Sequence, residues 1–368
     1  MRQEPAAPAP PGAKKLRYHT IREAIRRDIQ GGRFEAGERL PSDAELGMRF
    51  DASRLTVIRA LRELETEGLV QRKAGSGTYV RTSPALSTRV FGILMPDLGD
   101  GEVFEPIAQG IARAGEMLHH RMLWGSAAAS GQQKEQYADE LCRYFIGRKV
   151  SGVFFAPVEL TAHQDDMNRK IVEELQAAGI PVVLVDRCIK PYPERSHYDL
   201  AGIDNHRAGY RMTAHLAAAG CRSIAFAYRP GSAPTVDARM AGYRFALRSR
   251  GMAEMPLPGD ADLREFIDRN RPDGIVCAND LTAARLMHDL LKMGIRIPED
   301  VRMVGINDVK YAGFLPVPLT TLRQPCQQIG AAAMELMLER QTHPGNPVRD
   351  VLLDCELVVR QSCGTKTA

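Results

Sequence analysis

The stretch SRLTVIRALRELETEGLVQRKAGSGTYV, residues 53–80, reads as a helix, a short strand, a glycine-rich tip and a second strand. Leu55, Ile58, Leu61 and Leu64 recur at helical spacing, and Gly68 closes the run. Strands are expected at 69–73 and 78–81, joined across Gly75-Ser76-Gly77. Upstream, Leu16, Ile21, Ala24, Ile25 and Ile29 predict a helix ended by Gly31-Gly32. Ser42, with Glu45 three residues on, forms a capping box that opens a second short helix running to Phe50. Three helices and a hairpin within residues 15–82 predict a winged helix-turn-helix, an α+β domain.

In that arrangement the helix that opens at Ser53 enters the major groove, and its first residues meet base edges and phosphates. Arg54 has the planar fork that reads guanine. The hydroxyls of Ser42, Ser53 and Thr56, at helix N-termini, suit phosphate oxygens. Gly75 and Gly77 let the hairpin tip lie close to a sugar-phosphate backbone, and Arg72 and Lys73 supply charge beside it. Taken singly, Ser53 is equally a cap and Arg54 a solvated charge; the ordered set favours the nucleic-acid reading.

Charge placement agrees. The 368-residue chain has a formal net charge of +4, yet residues 14–81 alone hold 15 Lys and Arg against 10 Asp and Glu. A basic N-terminal segment on a nearly neutral body points to a polyanionic partner for that segment. With 44% hydrophobic and 26% charged residues the composition is that of a globular, multidomain chain, and no apolar run reaches the roughly 18 residues of a membrane span. Residues 1–14, rich in proline and alanine and without the apolar core of a secretory signal, are expected to be a disordered tail, and the chain to stay in the cytoplasm. The seven cysteines are scattered without CxxC spacing or clustered histidines, so reduced, mostly buried thiols are expected, with no metal site and no cofactor.

After a polar linker at 83–89, the pattern changes to strands alternating with helices. RVFGILMPDL, VSGVFFAP, IPVVLVDR, SIAFAY, DGIVCAND and VRMVGIND read as apolar strands, separated by amphipathic helices such as RKIVEELQAAG and LTAARLMHDLLKMG. Such units build parallel sheets covered on both faces, and about 270 residues suit two lobes around a cleft. Ligands of such sheets bind beyond the carboxyl ends of the strands. The polar residues there are Asp97, Asp186-Arg187, Asn279-Asp280 and Asn307-Asp308, with Phe104 and Arg239 at helix starts. Carboxylates, amides, guanidinium groups and an aromatic face fit a small polyhydroxylated ligand. Helix caps, turn formers and surface ion pairs are the competing reading for each residue alone.

Both parts resemble known families. LPSDAELGMRFDASRLTVIRALRELETEGLVQRKAGSGTYV is similar to the DNA-binding domain of GntR-type bacterial regulators, with Ala44 and Ile58 where that pattern has arginines and Arg59 one place later. The resemblance implies that Ser42, Ser53, Arg54, Thr56 and Arg59 contact DNA. VDR, DARMAGY, GIVCANDLTAARL, IPEDVRMVGINDVKYA and PLTTLRQP resemble the effector domain of LacI-type repressors and periplasmic sugar-binding proteins, over residues 90–360. This implies a two-lobed periplasmic-binding-protein type I fold, with lobe 1 at about 90–189 and 321–349 and lobe 2 at about 190–320 and 350–360. It also implies that Phe104 stacks on a sugar ring, that Asp186, Arg187, Arg239 and Asn279 bond its hydroxyls, and that Gln324 joins them. Asn307 stands where that family has its first carboxylate, and the segment between Leu247 and Arg271 is short for an outer helix.

A GntR-type head on a LacI-type body resembles the arabinose-repressor hybrids. The expected function is that of a ligand-responsive transcription regulator, most simply a repressor, acting as a homodimer on roughly palindromic double-stranded DNA. Two other classes share the cleft: a transport-associated sugar-binding protein, which would carry an export signal and no head, and a sugar-processing enzyme using Asp186 and Asp308 as an acid–base pair.

Overall fold

The computed structural model describes residues 11–30, 33–35, 37–66, 68–73, 75–80, 88–96, 103–125 and 132–365. Asp97 and linker residues 83–87 lie outside the described residues. The chain divides into two compact units, Met1–Thr88 and Arg89–Ala368.

The first unit contains α1 (Pro11–Gln30), α2 (Asp43–Arg49), α3 (Arg54–Thr66) and the antiparallel strands β1 (Val70–Lys73) and β2 (Gly77–Val80). Helix α1 starts four residues inside the expected tail, with Pro11 in the first turn, where its missing N–H costs nothing. Its buried stripe, Tyr18, Ile21, Ile25 and Ile29, packs with Leu46 of α2 and Val57, Ala60, Leu61 and Leu64 of α3. Leu55, expected in this core, is 79% exposed instead. At 100° per residue it falls opposite the stripe that Val57, Ala60, Leu61 and Leu64 define.

The second unit is two six-stranded sheets. Lobe 1 takes β3 (Val90–Leu94), β4 (Arg121–Trp124), β5 (Gly152–Phe155), β6 (Val182–Val185), β7 (Asp199–Ile203) and β13 (Asp350–Leu353), in the order β13-β7-β6-β5-β3-β4, all parallel. Its helices are α4 (Phe104–Met117), α5 (Gln132–Gly147), α6 (Gln164–Ala177) and α11 (Cys326–Thr342). Lobe 2 takes β8 (Ile224–Tyr228), β9 (Pro256–Pro258), β10 (Gly274–Cys277), β11 (Arg302–Asn307), β12 (Thr320–Arg323) and β14 (Glu356–Val358), in the order β14-β12-β11-β10-β8-β9, with only β14 antiparallel. Its helices are α7 (Asn205–Ala218), α8 (Pro234–Arg248), α9 (Leu263–Asn270) and α10 (Asp280–Lys292).

Both faces of each sheet are covered, which is why the strands read as unbroken apolar runs. Phe91 and Ile93 of β3 point toward Ile107, Ile111, Ile329 and Met337, while Leu94 joins Phe145, Ile171 and Leu175 on the opposite face. The chain passes between lobes three times, after Ile203, after Arg323 and after Leu353. The lobe limits expected near 190, 320 and 350 are therefore corrected: β7 and β13 belong to lobe 1 and β12 to lobe 2. The segment between Leu247 and Arg271 does hold an outer helix, the eight-residue α9, capped by Asp262. The seven cysteines are free, and four of them, Cys142, Cys221, Cys277 and Cys363, are buried. Among the described residues no helix is long and apolar enough to cross a membrane.

Candidate functional site

The head exposes one face of α3. Val57, Ala60, Leu61 and Leu64 are fixed in the core, so Arg54, Leu55, Arg59 and Arg62 lie on the outer side. Ser53 caps the helix: its hydroxyl accepts from Thr56 N–H at 3.3 Å and pairs with the Thr56 hydroxyl at 2.8 Å. Ser42 does the same for α2, in a closed capping box with Glu45 whose hydrogen bonds hold the Glu45 carboxyl below its ordinary value. The hydroxyls expected at phosphates thus also set the helix starts. Arg59 lies over the Tyr18 ring at 4.2 Å, a stacking that pins its reach near the middle of α3. Leu55 and Arg62 were not expected on this face; their helical phase relative to the core stripe is the signal that places them there.

The hairpin also departs from expectation at one residue. Arg72 does not stand free beside the tip: its Nη2 donates to both Asp43 carboxylate oxygens at 2.7 and 2.8 Å, tying β1 to the start of α2. Its neighbour Lys73 is exposed, with its ammonium 4.9 Å from the Tyr79 ring centre. Gly75 has φ +72° and Gly77 φ +124°, and a Cβ at Gly77 would stand 2.7 Å from Arg39 Nε, so both glycines are required by the turn itself.

In the second unit, the carboxyl ends of the strands from both sheets converge on a cleft of about 340 Å³. Phe104, Asp186, Arg187, Arg239, Asn279, Asn307 and Gln324 all line it, as expected. Lys134, Glu159, Thr235 and Tyr311 line it too, unforeseen in the sequence. Glu159 was within reach of the strand-end rule, since it follows β5 by four residues. Lys134, inside α5, gave no such signal.

Asp308 does not face the cleft. Its carboxylate pairs with Arg323 at 2.7 Å and Arg360 at 2.7 Å, so the acid–base pair imagined with Asp186 is not assembled. Phe104 is only 5% exposed, and the Arg187 guanidinium lies 4.8 Å from its ring centre. The ring, expected to stack on a sugar, thus also supports Arg187.

Charges in the cleft are buried and organised. Arg187 pairs with Glu159 at 2.5 Å and Asp186 at 3.3 Å. The other Glu159 oxygen accepts from Ala233 N–H at 2.9 Å, so this lobe 1 carboxylate clasps the start of α8 in lobe 2. Burial pushes Glu159 toward neutrality, but Arg187, the Ala233 N–H and Lys134 outweigh it and hold the carboxyl below its ordinary value. Asp186 is pushed up by burial despite Arg187 and Arg239. Arg239 donates to Asn205 Oδ1 at 2.8 Å and to Ala278 O at 2.6 Å, and burial lowers its pKa. Asp280, beneath the cleft, accepts from the Thr321 hydroxyl at 2.7 Å and Val309 N–H at 3.0 Å, fixing the ends of β10, β11 and β12 together. Helices α7 and α8 cross closely enough that a Cβ on Gly209 would overlap the Arg239 backbone, and one on Gly242 the His206 carbonyl. The crossing sets where Arg239 stands.

A second recess of about 480 Å³ continues along lobe 2 and shares Glu159, Leu160, Asn279 and Leu281 with the cleft; Arg229 and Arg285 lie on its wall. Such an arrangement can enclose a small polar molecule held from both lobes. Among the described residues no group of His, Cys, Asp and Glu is arranged to hold a metal ion.

Comparison with known proteins matches both units. Residues 17–80 fit the model of bacterial regulatory proteins of the gntR family, and residues 213–363 that of the periplasmic binding protein-like domain. The chain is 28% identical to the arabinose metabolism transcriptional repressor of Geobacillus stearothermophilus, over 94% of this chain and 97% of that protein. It is 29% identical to the HTH-type transcriptional regulator CelR of Thermobifida fusca, over 84% of this chain and 89% of that protein. Among solved structures, a CelR–cellobiose complex superimposes with a TM-score of 0.64 at 23% identity, covering 94% of this chain and 98% of that one. A LacI family regulator from Enterococcus faecium with bound ribose gives 0.60 at 25% identity, covering 74% of this chain and 98% of that one.

Proposed function

We propose that this chain, a GntR-type winged-helix domain joined to a LacI-type periplasmic-binding-protein-like domain, is a cytoplasmic transcription regulator whose hold on DNA is set by a carbohydrate in the cleft. Its relatives in sequence are transcription regulators, an arabinose metabolism repressor among them, and not enzymes. The observation that carries the reading is the coexistence of an outward arginine face on α3 with a cleft lined from two lobes by buried polar side chains.

In this reading Arg54 reads base edges, with Leu55, Arg59 and Arg62 along the same face. Ser42, Ser53 and Thr56 hold the helix ends on phosphates, and Lys73 with the Gly75–Gly77 tip follows the backbone. Two such heads, on a homodimer, address a roughly palindromic site with half-sites about one helical turn, or a multiple of it, apart. Exposed Met117, Leu118 and Trp124 on lobe 1 supply apolar surface for pairing. In the cleft, Asp186, Arg187, Arg239, Asn279, Asn307 and Gln324 bind the effector. A ligand that bridges the lobes favours their closed arrangement, and a difference of about 1–3 kcal/mol between the DNA affinities of the two arrangements is enough for regulation.

The test is fluorescence anisotropy of the full chain on DNA fragments from its own genomic neighbourhood, with a carbohydrate panel. Specific binding that falls steeply with salt, shifts with one carbohydrate and returns that carbohydrate unchanged is expected. Turnover of the sugar, or indifference to every fragment, contradicts the proposal.

A further inference from the structure

We infer that the effector is an acidic sugar, a polyhydroxylated monocarboxylate such as an aldonate or uronate, with its carboxylate docked on lobe 2 at Arg239; this rests on the regulator reading above. The lobe 2 side of the cleft carries Thr235, Val236, Arg239, Asn279, Leu281, Asn307, Val309 and Tyr311, so its one formal charge is positive. The two carboxylates next in sequence are turned inward: Asp280 is fully buried on Thr321 and Val309, and Asp308 is locked between Arg323 and Arg360.

Each amide on that side is already committed in one direction. Asn279 Oδ1 accepts from Thr282 N–H at 2.8 Å as the cap of α10, and a backbone N–H can only donate, so the Asn279 amide NH₂ is what the side chain has left to offer. Asn307 and Gln324 bond each other at 2.7 Å. Whichever way that pair is turned, one NH₂ and one carbonyl oxygen remain, with no negative charge. Gln324 is 5% exposed, lines the cleft, and its Oε1 is buried without a protein partner. Arg239 uses Nε and Nη1 on Asn205 and Ala278, leaving Nη2.

A neutral sugar offers each hydroxyl as donor and acceptor, and is best met by carboxylates among the amides. A ligand carboxylate only accepts, and NH₂ groups that line the same cleft as a buried guanidinium suit it. Over the whole cleft the charged lining residues are Lys134, Arg187, Arg239, Glu159 and Asp186. The N–H of Ala233, the residue before α8, is held by Glu159, and Pro234 at the first helical position has none to offer.

Calorimetry of the full chain tests this with matched sets: arabinose, galactose and glucose, their aldonates and uronates, the uronate methyl esters and the 6-phosphates of the hexoses. One acid should bind at least about tenfold more tightly than its parent sugar and its methyl ester, a difference of about 1.4 kcal/mol. Asn307→Asp, which adds a carboxylate to the same cleft, should weaken binding of the acid at least about tenfold more than that of the neutral parent and so erase the preference. A neutral sugar that outbinds every acid, or a sugar phosphate that does, overturns the inference and leaves the carbohydrate-regulator reading intact. Absence of binding by every compound overturns both.

Discussion

Arg72 separates two ways in which a basic residue can serve DNA binding. If it holds the hairpin in place through Asp43, removing either partner should have the same effect. If it touches a phosphate, Asp43 is a competitor whose removal should help. One nitrogen, Nη2, is shared between the two Asp43 oxygens at 2.7 and 2.8 Å and the side chains are 29% and 19% exposed, so solvent screening keeps the coupling to about 1 kcal/mol. Arg72→Gln and Asp43→Asn should each lower the stability of the head by about that amount, and the double variant by little more than either alone. On DNA, both single variants should weaken binding to a similar extent through a misplaced hairpin. Anisotropy titrations across a salt series supply the discriminating readout. Loss of a phosphate contact reduces the slope of log K against log salt by roughly one, whereas loss of positioning leaves the slope unchanged. A lower slope in Arg72→Gln with tighter binding in Asp43→Asn would refute the positioning role.

Three further predictions address the reading face and the cleft. Arg54→Ala should cost about 1–3 kcal/mol on the specific site and little on random DNA, read by competition anisotropy; equal losses on both would make Arg54 a phosphate contact. Burial raises Asp280 to about 6 from its ordinary 3.8, so the folded chain holds that proton more tightly than the unfolded chain. The resulting stabilisation is full below pH 3.8 and lost as pH rises through about 6, a change of about 3 kcal/mol that denaturant titrations should show flattened in Asp280→Asn. Gly209→Val should force α7 from α8 at the Arg239 backbone, destabilising lobe 2 by about 1–3 kcal/mol and weakening ligand binding, while Gly220→Ala, at a loop with φ +100°, should weaken stability alone.

Much of this architecture was legible because both faces of the sheets are buried. Runs such as VVLV and GIVC leave no alternative to a covered strand, and the capping residues Ser42 and Ser53 mark helix starts without tertiary help. Of the strands that escaped notice, DLAGI, TTLR, DVLL and ELV adjoin the crossovers between lobes, where chain path decides the sheet, and RMLW and PLP are short edge strands. At the cleft, the rule that ligands sit beyond strand ends located most of the lining. It could not say which strand-end carboxylate turns away: Asp308 is claimed by Arg323 and Arg360, 15 and 52 residues downstream, and Arg72 by Asp43, 29 residues upstream. Partners so distant in sequence leave no local pattern.

The central claim is that occupancy of the cleft and grip on DNA are two readings of one equilibrium. Its most direct test measures that linkage from both ends, by titrating the full chain with operator DNA at saturating effector and with effector at saturating DNA. Equal and reciprocal shifts in the two dissociation constants, of roughly 5- to 150-fold, are predicted. A bound effector that leaves the DNA affinity unchanged would contradict the account.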